Sequence, residues 1–304
     1  MFQDIAPHVY HNEYEQREAR PDDYLVRIRG RSLLMKGEGT AAVLPTVREI
    51  VERWPEAAGD AFYLFSIDER GFFCAPEQNS ASEKQADVPE AEAVFEPGEG
   101  EELRYIPLMA LREMEHSAMA FGAATAWQLA DWYRLHRLCG TCGVKTVRSQ
   151  TERAIVCPRC GHAYYPRISP VVIVAITDGD RILLTRYSRG YVRRHSLVAG
   201  FVEIGETLED AVRREVYEEV GLHVKRITYC ESQPWAFSSS LIMGFFAEVD
   251  GDPTVRLNTD GGDELAEGVW IHRDDLEIED SSVSLTWDMI RRFKEKREQL
   301  NAER

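Results

Sequence analysis

The sequence predicts two α/β units with a small metal-binding knuckle between them, and three observations lead there. Short apolar runs alternate with helix-period patterns on both sides of a central segment in the 304-residue chain. That segment holds two C-x-x-C pairs, Cys139/Cys142 and Cys157/Cys160. Beyond it, Gly200 to Leu222 packs seven carboxylates into 23 residues at helical spacing. The length suits two ordinary domains and a module. With 44% hydrophobic, 10% aromatic and 29% charged residues, the composition is that of a folded soluble chain. A net charge of −16 argues against a protein built to grip duplex nucleic acid. No run approaches the roughly eighteen apolar residues of a membrane span. The opening "MFQDIAPHVYHNEYEQ" lacks the basic start and apolar centre of a signal peptide, so a cytoplasmic location and no membrane partner are expected.

In chain order, "YLVRIRG", "RSLLMKG" and "AFYLFSID" read as strands and "VREIVERW" as a short amphipathic helix. "CAPEQNSASEKQADVPEAEAVFEPGEGEE" is poor in apolar residues and reads as a long surface loop. From about Ile106 to Arg137 the pattern turns helical. After the cysteines, "SPVVIVAITDGDRILLTRY" is strongly β, with Asp178-Gly179 as a hairpin signal. "SLIMGFFAEV" and "EGVWIHRDDL" follow as strands, and a last helix starts near Leu285. These readings divide the chain into residues 1–125, 126–168 and 169–304.

The four cysteines of the two pairs can turn toward one point and complete a tetrahedral S₄ shell, which favours Zn²⁺. Gly143 and Gly161, each after the second cysteine of a pair, permit the tight turns. With every position taken by cysteine the zinc is structural. Cys74 and Cys230, in apolar surroundings, read as ordinary buried thiols. The knuckle is locally basic (Arg134, Arg137, Lys145, Arg148, Arg153, Arg159, Arg167), which either meets a phosphate or an RNA end or is a solvated face.

In the carboxylate stretch, Thr207 with Asp210 resembles a capping box, Gly221 ends the helix, and Leu208, Ala211, Val212 and Val216 form its apolar stripe. Glu215, Glu218 and Glu219 share one face, where their repulsion costs roughly 0.2–0.5 kcal/mol per pair. A hard divalent cation reverses that sign; a plain acidic face is the alternative. Arg214 is placed to orient a carboxylate such as Glu206.

The spacing of Gly200, Glu206, Arg214-Glu215-Val216, Glu218-Glu219 and Gly221-Leu222 resembles the Nudix box at all nine defined positions. The resemblance implies a Nudix hydrolase fold, a mixed sheet between helices, over residues 169–304, and hydrolysis of a nucleoside diphosphate linked to another group. It also implies that Glu215, Glu218 and Glu219 hold Mg²⁺ or Mn²⁺. Downstream, "SQPWAFSSS" (Ser232 to Ser240), with the knuckle and "YYPRISPVVIVAI", is similar to the NADH pyrophosphatase subfamily, whose members also hydrolyse NAD caps on RNA. That resemblance runs from about Trp132 to Trp270, and only "ALRE" around Arg112 extends it into residues 1–125, which it implies are a Nudix-like α/β domain.

By the same resemblance Ala199 offers a backbone carbonyl and Glu264 a carboxylate to the metal. Phe201 stacks on a base. Glu152, Tyr165, Arg112, Thr286 and the segment Gln233, Pro234, Trp235, Ala236, Phe237, Ser238, Ser239 and Ser240 shape the substrate pocket of a homodimer. Ala236 and Ser238 replace two prolines of the family motif, and Thr286 replaces a small alanine. NADH or NAD⁺, or an NAD-capped RNA 5′ end, is the substrate implied. ADP-ribose, a diadenosine polyphosphate, or non-catalytic RNA binding or sensing by the ribbon are the alternatives. Trp235 and Phe237 also fit a role as core aromatics, and His195 reads as a non-catalytic histidine.

Overall fold

The computed structural model describes residues 1–55, 58–75, 103–114, 117–188, 195–259, 261–278 and 283–295. Most of the expected Glu-, Ala- and Pro-rich loop, most of the basic segment after Tyr187 and residues 296–304, into which the last helix was expected to run, lie outside these residues. The chain forms two compact units, residues 3–167 and residues 1–2 with 168–304.

In the first unit, β1 (Tyr10–His11), β2 (Tyr24–Val26), β3 (Ile28–Arg29) and β4 (Ser32–Lys36) precede α1 (Val47–Arg53). Then come β5 (Phe62–Ile67), β6 (Arg70–Cys74), β7 (Leu103–Pro107) and α2 (Ser117–Leu135). They make a four-stranded sheet β1-β5-β6-β2 and a three-stranded sheet β3-β4-β7. Helix α1 starts on a full capping box: Glu49 N–H donates to the Thr46 hydroxyl and Thr46 N–H donates to the Glu49 carboxylate. The helix expected from Ile106 starts later. Residues up to Pro107 pair with β4, and Leu108–Glu113 form a 3₁₀ turn, because strand pairing outweighs local helical periodicity there. β8 (Val147–Arg148), β9 (Ile155–Val156) and β10 (Ala163–Tyr164) form the small ribbon sheet around the cysteines.

The second unit is a mixed sheet between two helices. Its strands are β11 (Ser169–Asp178), β12 (Arg181–Tyr187), β13 (Val198–Phe201), β14 (Val224–Trp235), β15 (Ser240–Val249) and β16 (Leu265–His272). The order is β14-β15-β11-β12-β16, with β13 also on β11, and only β11 and β15 run parallel. Alternate residues of β11 feed two cores. Val172, Val174 and Ile176 pack with α3 (Leu208–Val220), while Ile173 and Ala175 pack with α4 (Leu285–Lys294). A strand buried on both faces reads as a continuous apolar run, as "VVIVAI" does. The β11–β12 hairpin forms one residue later than its sequence signal: Asp178 pairs with Arg181, and Gly179 (φ 59°) and Asp180 make the turn.

Candidate active site

Helix α3 carries the site and is fixed at both ends. At its start the Asp210 N–H donates to the Thr207 hydroxyl at 3.1 Å. Unlike Glu49 in α1, the Asp210 carboxylate accepts from the Thr207 hydroxyl at 2.8 Å, not from its backbone N–H. Aspartate is one methylene too short to close the full box. At the other end Gly221 takes φ 68°. The last four carbonyls of α3 are all satisfied. Gly221 N–H donates to Tyr217 O at 2.9 Å, Thr259 N–H to Glu218 O at 2.7 Å, Asn258 N–H to Glu219 O at 2.8 Å and Arg256 N–H to Val220 O at 2.9 Å.

The buried stripe of α3 is Ala211, Val212, Val216 and Val220. Glu219 adjoins it and is only 5% exposed. The Glu215 side chain is 12% exposed and that of Glu218 38%, so three glutamates alike in sequence sit at three depths. The Glu215 carboxylate lies directly against Gly200 of β13, where a Cβ would overlap it. The first glycine of the box is therefore the cradle of a carboxylate, a close approach and not a turn.

Arg214 organises the surroundings. It holds Glu206 with two bonds of 2.6 and 2.9 Å, Glu215 at 2.8 Å, Glu218 at 2.9 Å and the Phe201 carbonyl at 2.9 Å. The expected Arg214–Glu206 pair is present, and the same guanidinium also reaches two of the three metal candidates. Glu206 is pulled down to about 2 by this guanidinium, helped by the Glu203 N–H. Burial pushes the Glu215 carboxyl up, Arg214 opposes, and the charges of Glu218 and Glu264 add to the rise. Burial likewise raises the Tyr187 hydroxyl, with Glu219, Glu264 and Glu215 adding to it. The charges of those three carboxylates thus all act on one half-buried phenol.

Glu264 reaches this group from the loop before β16. Asn258 clamps that loop, donating to Leu265 O and accepting from Leu265 N–H, both at 2.9 Å, and Ser188 N–H donates to Glu264 O at 2.8 Å. Asn258 sits at φ 54°. It was not singled out in the sequence, where nothing but "LNTDGG", a turn-rich string, marked it. Ala199 lies beside Gly200 on β13, paired with Ile173. An all-oxygen donor set of this kind fits a hard divalent cation, and the Gly200 cradle leaves room for Glu215 within it. Among the described residues the four cysteines are the only group of three or more potential ligands whose ligand atoms lie within 4.8 Å of one another; Glu215 and Glu218 are drawn to Arg214.

Phe201 is 54% exposed, with its carbonyl tied to Arg214, so its ring faces solvent and not the core. The downstream motif behaves differently. Gln233 is buried, and its amide is consumed by Val283 O at 2.8 Å and Leu285 N–H at 2.9 Å. It anchors the start of α4, next to half-buried Thr286. Ala236 and Phe237 are buried, and Phe237 packs on Phe2 at 5.3 Å and Trp235 at 4.7 Å. Pro234 and Ser238 are exposed. Ser239 takes φ 54°, and the Ser238 and Ser240 hydroxyls lie 3.0 Å apart with Ser240 buried. Four of the eight residues of this segment, Gln233, Ala236, Phe237 and Ser240, are thus buried within their own unit.

In the other unit the cysteine sulfurs approach as a quartet: Cys139–Cys160 3.6 Å, Cys142–Cys157 3.4 Å and Cys142–Cys160 3.9 Å. A ZnS₄ tetrahedron with bonds of about 2.3 Å has edges of about 3.8 Å, so the cluster fits Zn²⁺. Gly143 (φ 70°) and Gly161 (φ 72°) make the knuckle turns. Tyr164, unnoticed in the sequence, lies 3.3 Å from Cys139 Sγ and accepts from Gly140 N–H at 2.9 Å. Its neighbour Tyr165 donates to Glu152 at 3.2 Å. Arg112 lies in the 3₁₀ turn of the same unit. Of the basic residues, Arg134 pairs with Asp131, Arg153 donates to Leu64 O and Arg148 lies over the Phe62 ring.

Comparison with known proteins matches residues 167–293 to a NUDIX domain and residues 134–165 to an NADH pyrophosphatase zinc ribbon domain. Curated relatives named NAD-capped RNA hydrolase NudC, from Escherichia coli and Escherichia fergusonii, are each 47% identical over 152 residues, 50% of this chain and 57% of theirs. The chain thus spans little more than half the length of the curated relatives it matches. A solved NUDIX hydrolase from Nitrosomonas europaea is 22% identical, with a TM-score of 0.45, covering 53% of this chain and 92% of its own. No described helix is long and apolar enough to cross a membrane.

Proposed function

We infer that this chain, which carries a Nudix domain behind an NADH pyrophosphatase zinc ribbon, hydrolyses the pyrophosphate of NADH and NAD⁺ to AMP and nicotinamide mononucleotide, and removes NAD caps from RNA 5′ ends. One observation carries the reading. Glu215, Glu218 and Glu219 share a helix face braced by Arg214 and cradled by Gly200, beside the exposed ring of Phe201. The relatives named for action on NAD-capped RNA support the choice of substrate.

Glu215, Glu218, Glu219, Glu264 and the Ala199 carbonyl would hold Mg²⁺ or Mn²⁺. Bound there, the metal withdraws charge from the pyrophosphate oxygens and lowers the pKa of a bound water. The chain's own residues do the rest. Glu219, buried on the same helix face as Glu215, accepts the proton of the attacking water. Arg214 keeps Glu215 and Glu218 pointed at one place and locks the loop that presents Phe201. Phe201 stacks on the nicotinamide, with exposed Pro234 and half-buried Trp235 and Thr286 at the pocket edge. The zinc is a staple, and the enzyme works as a homodimer in the cytoplasm.

The test is turnover of Glu219→Gln with saturating Mg²⁺ or Mn²⁺, and product chromatography with NADH and ADP-ribose side by side. Loss of activity with retained folding supports the site, and near-normal turnover overturns it. A wide preference for ADP-ribose overturns the substrate.

A further inference from the structure

Within the unit of residues 3–167, the coil Tyr14–Glu18 is stitched across a gap to the end of β8. The Tyr14 hydroxyl donates to Ser149 O at 2.7 Å, and the Gln16 amide reaches both Gln150 O and, at 3.1 Å, Gln150 Oε1. Behind this strap lies a cavity of about 300 Å³, walled by β5, α2 and the ribbon. It falls at the small end of the roughly 300–1,000 Å³ of ligand pockets, so it admits one nucleoside and not a dinucleotide.

The walls are flat and mixed in chemistry. Arg148 lies over the Phe62 ring at 4.1 Å, and Tyr133 meets the same ring edge-on at 4.6 Å. A guanidinium stacked on an aromatic ring is a platform for a further π-system. Arg148 is exposed and has no carboxylate partner among the described residues, so its N–H fork is available to a phosphate. Arg17, by contrast, is spent on Asp23 at 2.7 Å. Glu15 and Glu18 line the same cavity and offer acceptors for ribose hydroxyls, and Gln150 Nε2 offers a donor to a base edge. Tyr133 also lines the cavity, and its phenol, protonated at neutral pH, is a hydrogen-bond donor there.

We propose that this cavity binds a single nucleotide, its base stacked on the Arg148–Phe62 platform and its phosphate on Arg148. The nucleotide is either a free nucleoside monophosphate or one residue of an RNA chain. The site stands independently of the hydrolytic reading above.

The test is photolabelling of the full chain with 8-azido-AMP followed by peptide mapping, with NADH turnover followed in the same preparation. Label on peptides containing Tyr14–Glu18, Phe62–Tyr63 or Tyr133, falling at least about tenfold in both Arg148→Ala and Tyr133→Phe, is the expected result. Displacement by AMP identifies a free nucleotide. Displacement by a short 5′-phosphorylated oligoribonucleotide, and not by AMP, identifies RNA. Label confined to residues 168–304, no label at all, or labelling unchanged in either variant overturns the proposal. Because turnover is read separately, a failure here is distinct from a failure of the hydrolase assignment.

Discussion

Gly200→Ala separates the catalytic role of the box from its structural role. The added methyl would overlap the Glu215 carboxylate. The overlapping atoms are the far end of a flexible side chain, so the fold yields by swinging Glu215 away and not by moving β13. The structural loss is then one charge-assisted bond, Arg214 to Glu215 at 2.8 Å, on a guanidinium 27% exposed. Discounted for solvent screening, that is about 1 kcal/mol. For a unit of this size it lowers the melting temperature by about 2–4 °C. The functional loss is larger. A carboxylate displaced by about 1 Å or more costs on the order of 100-fold in rate, equivalent to about 2.7 kcal/mol of transition-state stabilisation. The assay is NADH hydrolysis at several Mg²⁺ and Mn²⁺ concentrations beside a thermal melt. The expected outcome is a near-normal melt, a steep fall in kcat/KM and a raised metal requirement. Turnover within about threefold of the parent, or a fall that merely tracks the unfolded fraction, would refute the reasoning.

Other outcomes follow from the same geometry. Glu206 is depressed to about 2 by Arg214, so its stabilising pairing is complete above the ordinary carboxylate pKa. The pairing is lost as pH falls from about 4.5 toward 2, and Arg214→Met should flatten that limb of a stability–pH profile. Cys142→Ser should abolish the one-to-one zinc content measured by metal analysis and loosen the ribbon. Asp23 is buried and accepts from Arg17, Arg20 N–H and Gly71 N–H. Asp23→Asn should therefore cost about 3 kcal/mol in denaturant unfolding, with kcat for NADH per folded molecule unchanged.

The site was legible in the sequence wherever spacing alone determines geometry. Residues three and four apart on a helix must share a face, so Glu215, Glu218 and Glu219 were recognisable as a set. Two C-x-x-C pairs can close on one ion with little help from the rest of the chain, and the sulfur distances agree. Gln233 and Phe237 show the limit. A motif string does not reveal which side chains of β14 and of the 3₁₀ turn at 236–238 are buried, and the answer depends on α4 and on Phe2 packing against them. Asn258 was invisible for a related reason: its clamp on Leu265 matters only because its loop also caps α3 and carries Glu264.

By itself the sequence determined the local devices: the helix with its carboxylate face, the left-handed Gly221 cap, the zinc knuckle and the doubly buried β11. Each depends on interactions within a few residues or on a strict period. Only the tertiary structure decided the depths of Glu215, Glu218 and Glu219, the reach of Arg214 to Phe201 and Glu206, and the role of Gly200 as a cradle. These are set by contacts between segments brought together by folding, and the burial and field that tune each carboxylate exist only once those segments have packed.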